Sequence, residues 1–288
     1  ARRGAEPGAP LAAFGGTKKW HRLACAIEDA GWEINDSLMW LYGQGMPKSK
    51  AKLKPAWEPI IFASKPGAPA MINIDGCRIP GSAGNGHWGK ANGDSGFYAP
   101  GQEVARAPRP GGKKDAGGRW PANVVLDEEA ARLLDEQVGQ LRSGGIKAGT
   151  KRGKNNVFGK AGGDKAKVDF LADVGAASRF FYVAKATAKE RDLGTVDNDH
   201  ETVKPIMLMR WLVRLLAPRG KLCVDMFCGS GSTPVACSLE GIDCIACDID
   251  QGHAETARRR VEACGFEVDA AGEERLEVAT PTAQVALF

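Results

Sequence analysis

Two aspartates frame a glycine-rich turn late in this chain of 288 residues. Residues 221–233 read Lys-Leu-Cys-Val-Asp-Met-Phe-Cys-Gly-Ser-Gly-Ser-Thr, with Asp225 ahead of the turn, and Asp248 follows 17 positions after Gly231. Gly229 and Gly231 let the backbone bend tightly and let a ligand lie against it without meeting a Cβ. Ser232-Thr233-Pro234 opens a helical stretch, where the missing N–H of a proline costs nothing. A carboxylate at Asp248 can accept hydrogen bonds from both hydroxyls of a ribose. These residue types at these spacings are suited to recognising a nucleoside.

The residues also say which nucleoside ligands to set aside. A phosphate loop ends in Gly-Lys-Ser/Thr, which is absent, and the dinucleotide fingerprint Gly-x-Gly-x-x-Gly fails at Pro234. One acid, a glycine turn and no phosphate grip fit an adenosine ligand without a pyrophosphate, of which S-adenosylmethionine (SAM) is the obvious one. A purely structural strand-to-helix turn is the alternative, and the acid at the matching distance weighs against it. Cys244-x-x-Cys247 has metal-site spacing, but no second such pair exists and strand alternation sends the two side chains opposite ways. No metal is expected.

The elements that must position these groups follow from local patterning. Leu222–Phe227 is an apolar run interrupted only by Asp225, and it reads as a parallel strand covered on both faces. Ile242–Asp250 reads as a second strand with Asp248 at its end, followed by a helix over Gln251–Cys264. Ahead of them, Ile206–Leu216 reads as a helix with Ile206, Met209, Leu212, Val213 and Leu216 on one face, ended by Pro218-Arg219-Gly220. Nearer the start, Leu11–Gly16 reads as a strand. Thr17 can cap a helix over Lys18–Ala30 that Gly31 stops. Trp32–Tyr42 is a strand with Ile34, Leu38 and Trp40 inside, and Ile60–Ala63 is another. Ile72–Ile79 and Ser178–Lys185 read as further strands, and Glu128–Leu141 as an amphipathic helix. The fold class is α/β, a Rossmann-like sheet with helices on both faces. The chain divides into a sheet portion (1–65), an insert with a basic loop (66–178), a nucleotide-binding half of the sheet (179–266) and a tail (267–288).

Net charge is +4 and 43% of residues are apolar, ordinary for a globular protein. No apolar run is long enough for a membrane span and no signal peptide is visible, so no membrane partner is expected. Eight scattered cysteines, mostly in apolar segments, suggest reduced, buried thiols in a cytoplasmic protein. Charge is uneven. Residues 139–167 carry eight Lys/Arg against Asp164 alone, whereas residues 205–288 carry eight Lys/Arg against twelve acids. Residues 81–118, rich in Gly, Asn, Pro and Ser, include Trp88, Phe97 and Tyr98. Cations neutralise phosphates and aromatics stack on exposed bases, so this middle region suits DNA, with Lys147, Lys151, Arg152, Lys154 and Lys160 as candidate contacts. A solvated flexible loop is the plainer reading of an isolated basic run.

At this point the sequence resembles the SAM-dependent DNA methyltransferases that act on the exocyclic amine of adenine or cytosine. The likeness is to the permuted, beta-type order and particularly to phage and prophage versions. Asp225-Met-Phe-Cys-Gly-Ser-Gly-Ser-Thr233 resembles the family's cofactor motif Asp-x-Phe-x-Gly-x-Gly-Ser/Thr-Thr. Asp248 falls where the family keeps its ribose-binding acid. His200–Pro205 resembles its His-Pro-Thr-x-Lys-Pro motif, with Glu201 in place of the proline. Leu11–Ser49 and Ser178–Arg191 resemble scaffold segments. The resemblance implies a circularly permuted sheet, a target-recognition insert and SAM as cofactor. It places Phe227, Gly229, Gly231, Ser232 and Thr233 along the cofactor, Asp248 on the ribose, and Asp225 at the methionine end or in the loop. Thr202, Lys204 and Pro205 are placed toward the methionine portion. The implied partner is double-stranded DNA, with adenine the preferred base over cytosine.

One departure outweighs these matches. The family's catalytic motif, Asp/Ser/Asn-Pro-Pro-Tyr/Phe, belongs upstream of Leu11, and no Pro-Pro pair occurs in the sequence. The expectation is an N-terminal truncation through or after that motif, so no catalytic residue is assigned. A DNA-binding remnant without the chemistry is the alternative. A nicotinamide-dependent dehydrogenase would also explain the glycine turn and Asp248, but it fails on Pro234 and on the basic insert. Finally, Gln284-Val-Ala-Leu-Phe288 resembles the Gln-x-x-Leu-Phe peptide that docks bacterial sliding clamps, on what reads as a free, flexible end.

Overall fold

The computed structural model describes residues 4–47, 49–50, 52–79, 118–145, 147, 149–150, 172–184, 203–266, 268–270 and 285–287. Strands β1 (Pro10–Phe14), β2 (Glu33–Leu41), β3 (Trp57–Ser64), β4 (Val124–Asp127) and β7 (Tyr182–Ala184) form one sheet in the order β1-β3-β2-β4-β7. β3 is antiparallel to both its neighbours, while β2, β4 and β7 run parallel. A second sheet, parallel throughout, orders β10 (Val268–Ala270), β11 (Val285–Leu287), β9 (Cys244–Ala246) and β8 (Cys223–Asp225). β5 (Gln140–Ser143) and β6 (Asp173–Ala176) make a separate antiparallel pair. Five helices accompany them among the described residues: α1 (Trp20–Asp29), α2 (Glu128–Val138), α3 (Ile206–Leu216), α4 (Ser232–Glu240) and α5 (Gln251–Glu262). The α/β class expected from the sequence is what the chain adopts, although among the described residues the strands lie in two ladders rather than one.

Local chemistry accounts for several boundaries. α2 starts at Asp127, whose carboxylate accepts from Ala130 N–H, and Glu128 and Glu129 lie in its positive first turn. α5 starts at Asp250, which accepts from the N–H groups of Gly252 and His253. α1 begins at Trp20 with no side-chain cap, so Thr17 does not serve as one. Gly31 follows the end of that helix at φ 81, a left-handed conformation that glycine tolerates. The expected strand at Ile72–Ile79 is not formed. A 3-10 turn at Asp75–Cys77 takes its place, because Asn73 turns aside to bond α3 through its N–H to Leu215 O and its side chain to Arg214 O. Likewise Ser178–Lys185 is a 3-10 turn (Ala177–Phe180) followed by the short β7, with Asp135 accepting from the N–H and hydroxyl of Ser178.

The main core gathers around α3. Ile206, Met209, Leu212, Val213 and Leu216 are buried as expected, and Leu208, Trp211 and Leu215 are buried as well, so the helix is covered on nearly all sides. Ile60, Leu38 and Val125 of the five-stranded sheet and Val235 and Ala236 of α4 belong to the same cluster. Trp211 stacks on Tyr182 at 5.3 Å, and the Tyr182 hydroxyl donates to Met207 O. Glu240 at the end of α4 accepts from Arg210 and Arg214 of α3. Burial opposes its charge, but those two guanidinium bonds outweigh it and hold the Glu240 carboxyl below its ordinary range.

Two further expectations meet a different structure. β8 is an edge strand among the described residues, and Leu222, Val224 and Met226 are about half exposed, so it is not covered on both faces. Val285–Leu287 is no free end: it is the strand between β9 and β10, bonded on both sides. A peptide already committed on both edges is not free to extend along a sliding clamp, and the premise of that reading falls. Gln284 and Phe288 lie outside the described residues. All eight cysteines are free thiols, and only Cys25 is exposed. No described helix is long and apolar enough to cross a membrane.

Candidate functional site

The glycine turn leaves the carboxyl end of β8 and enters α4, and the adjacent β9 delivers Asp248 to the same place. Main-chain bonds fix the two strand ends together: Cys247 N–H donates to Asp225 O at 2.9 Å, and Cys228 N–H to Cys247 O at 3.0 Å. Asp248 then reaches into the turn, its Oδ2 accepting from Gly229 N–H at 2.8 Å and its Oδ1 from Asp250 N–H at 3.0 Å. His253 Nδ1 lies 3.8 Å from the same Oδ1. Asp225 accepts from Phe227 N–H at 3.0 Å. Burial raises the Asp225 carboxyl above its ordinary value, with hydrogen bonds from the Thr233 hydroxyl and Phe227 N–H pulling the other way.

Gly231 is at φ 85, and a Cβ there would lie 2.5 Å from the Cβ of Ala257 on α5. Only glycine permits this packing of turn against helix. Arg260, one helical turn beyond Ala257 and fully buried, donates from Nη1 to the Ser230 carbonyl at 2.6 Å. The turn is therefore gripped from behind by α5 and from the front by Asp248. Phe227 and Ile249 stand almost wholly exposed beside it, an apolar pair flanking two carboxylates.

Lys204 and Pro205 come to the same end of the sheets. Pro205 is the cap residue of α3, and the Lys204 carbonyl accepts from the Ser232 hydroxyl at 2.9 Å. The Lys204 ammonium pairs with Glu58 at 3.2 Å and lies 5.2 Å from the Phe14 ring centre, linking this segment to β3 and β1. The structure thus brings together Asp225, Phe227, Gly229, Gly231, Ser232, Thr233, Asp248, Lys204 and Pro205. Thr202 lies outside the described residues, as do Lys151, Arg152, Lys154 and Lys160; Lys147 is described and exposed. Sequence reasoning missed Arg260, Glu58, Phe14 and Ile249. Ile249 alone carried a local signal, an apolar residue directly after the acid.

A family model for DNA methylases matches residues 1–259. The chain belongs to the DNA methylase family. As such it is a SAM-dependent DNA methyltransferase of the kind that acts on N6 of adenine or N4 of cytosine. Solved structures similar to this methylase include the M1.HpyAVI–SAM complex, at 14% identity and TM-score 0.44 over 89% of this chain and 76% of that one. The cytosine-N4-specific PvuII DNA methyltransferase is 14% identical, TM-score 0.44, over 88% of this chain and 64% of its own. TTHA0409 from Thermus thermophilus is 13% identical, TM-score 0.44, over 100% of this chain and 78% of its own. No curated protein matches the methylase.

The residues at the turn suit the cofactor. A cationic sulfonium nucleoside meets two carboxylates, Asp225 and Asp248, and no phosphate-binding lysine, and the exposed faces of Phe227 and Ile249 offer an apolar surface to a ring.

Proposed function

We propose that SAM binds at the carboxyl ends of β8 and β9, with Asp248 accepting from the ribose hydroxyls and Phe227, Gly229, Gly231, Ser232 and Thr233 along the ligand. Asp225 faces the methionine end or fixes the loop, and Thr202, Lys204 and Pro205 shape the far side of the methionine portion. The substrate is the exocyclic amine of adenine, in preference to cytosine, in double-stranded DNA, and the strand order is the permuted one. The bound cofactor supplies an electrophilic methyl group on sulfur. What this chain's own residues contribute is binding and orientation: a base turned out of the duplex must meet that methyl in line. The observation that carries the reading is Asp248, held by Gly229 N–H at the turn between β8 and α4.

Replacing that carboxylate tests it. Asp248→Ala should weaken SAM binding by about 1–3 kcal/mol, the scale of a charge-assisted hydrogen bond left unmade. Isothermal titration showing unchanged affinity would remove the assignment. Lys147, Lys151, Arg152, Lys154 and Lys160 are proposed to contact DNA phosphates. Neutralising the basic residues from Lys147 to Lys167 should flatten the salt dependence of DNA binding, each lost contact removing roughly 0.9 from the slope. An unchanged slope in a fluorescence titration would make that loop a bystander.

The absence of a Pro-Pro pair favours a second reading, in which this chain binds cofactor and DNA without completing transfer by itself. Labelled methyl appearing in duplex DNA with this chain as the sole protein would overturn it.

A further inference from the structure

The cofactor turn occupies one end of β8 and β9, and three sulfurs gather at the other. Cys223 and Cys244 are the first residues of β8 and β9 and are register partners, so their side chains leave the same face of the sheet. Cys237 of α4 packs onto that face. The three Sγ atoms all lie within 4.8 Å of one another. Cys237 and Cys244 are buried and Cys223 is partly accessible, beside the exposed Leu222 and Val224 on the open edge of β8. A pyramidal centre about 2.3 Å from each of three sulfurs would set them about 3.5 Å apart, a closer approach than the 4.8 Å within which they lie.

We propose that Cys223, Cys237 and Cys244 form a three-sulfur site for one soft, thiophilic ion that needs no fourth ligand, trivalent arsenic being the best match. The ligand count is one short of a closed structural zinc site. Structural zinc is four-coordinate, and among the described residues no further His, Cys, Asp or Glu joins the group. Charge decides between the remaining soft ions. Three thiolates around a monovalent ion leave a net charge of −2 in an apolar core cluster that also holds Val235, Ala236, Ile242 and Ala246, with Asp225 two residues along the strand. Three thiolates around a trivalent centre leave no net charge, which an apolar site favours. The reaction also balances: arsenous acid exchanges three As–O bonds for three As–S bonds, the thiol protons leave with the hydroxides as three waters, and nothing is oxidised or reduced.

The test uses the full chain kept reduced with a phosphine, titrated separately with arsenite, Cu(I) and Zn(II). The expected result is one arsenic per chain in the intact mass, with loss of three hydrogens, and protection of Cys223, Cys237 and Cys244 from alkylation in the unmutated protein. Cys223→Ser, Cys237→Ser and Cys244→Ser should each abolish uptake, while Cys247→Ser keeps it. The alkylation map needs no variant, so it stands even if Cys237→Ser fails to fold. No uptake, protection of other cysteines, or tighter binding of Zn(II) or Cu(I) than of arsenite would overturn the proposal.

Discussion

β3 and β8 have the same signature in the sequence, a short apolar run, and end in opposite situations. β3 is the centre of its neighbourhood: it has antiparallel partners on both edges, and Ile60, Ile61 and Ala63 have no accessible surface. β8 pairs only with β9 among the described residues, and its Leu222, Val224 and Met226 are half open. An apolar run states that a strand requires cover; it does not state how many neighbours supply it. The difference divides the labour of the molecule. The scaffold is anchored in the buried cluster that β3 and α3 share, and the ligand-facing turn is carried by a strand that contributes little to the core on its exposed side.

This contrast can be broken or sharpened by substitution. Ile60→Ala should cost about 2–5 kcal/mol in denaturant unfolding, the range for truncating a buried isoleucine, and a loss under about 1 kcal/mol would show that β3 is not the anchor. At the polar end of β8 the expected effect is smaller and of opposite sign. Because burial raises the Asp225 carboxyl, the folded chain binds that proton more readily than the unfolded one, and the ionised form destabilises the fold near neutral pH. Asp225→Asn should therefore raise the midpoint of thermal unfolding of the ligand-free chain near pH 7, the gain disappearing as pH falls below the ordinary carboxylate range. A lower midpoint at pH 7 would show that the carboxylate stabilises the turn. The smallest effect belongs to Val224→Thr, which should change stability by about 0.5 kcal/mol or less. A loss near that of Ile60→Ala would mean that β8 is covered in solution.

What could be read in advance follows the range of the interactions involved. α3 was legible to the residue because its signals are local: a proline at its start, apolar spacing along it, and Ala-Pro after it. The same holds for Asp225, the two glycines and Asp248, whose roles depend on a short span of sequence. Arg260 was not legible. It is the third of the run Arg258-Arg259-Arg260, and only the packing of α5 behind the turn buries it on Ser230. Lys204 was placed toward the methionine portion of the ligand, and its partnership with Glu58, far away in the chain, was not legible. Ile72–Ile79 had the composition of a strand and lost that identity to Asn73, whose hydrogen bonds to α3 are tertiary. The thiol group required three distant cysteines to meet, and the pair with suggestive spacing, Cys244 and Cys247, was not the pair that does so.

The place of β11 bears on how the molecule is assembled in time. It comes later in the chain than β8, β9 and β10, yet it lies between β9 and β10. Parallel pairing across such a separation in sequence is slow, because loop closure must be completed before any contact rewards it. β8, the turn, α4, β9 and α5 are contiguous and can organise first, so the strands bearing Asp225 and Asp248 are set before the sheet is whole. From this topology, insertion of β11 is expected as a late step, joining β10 to a partner that already exists.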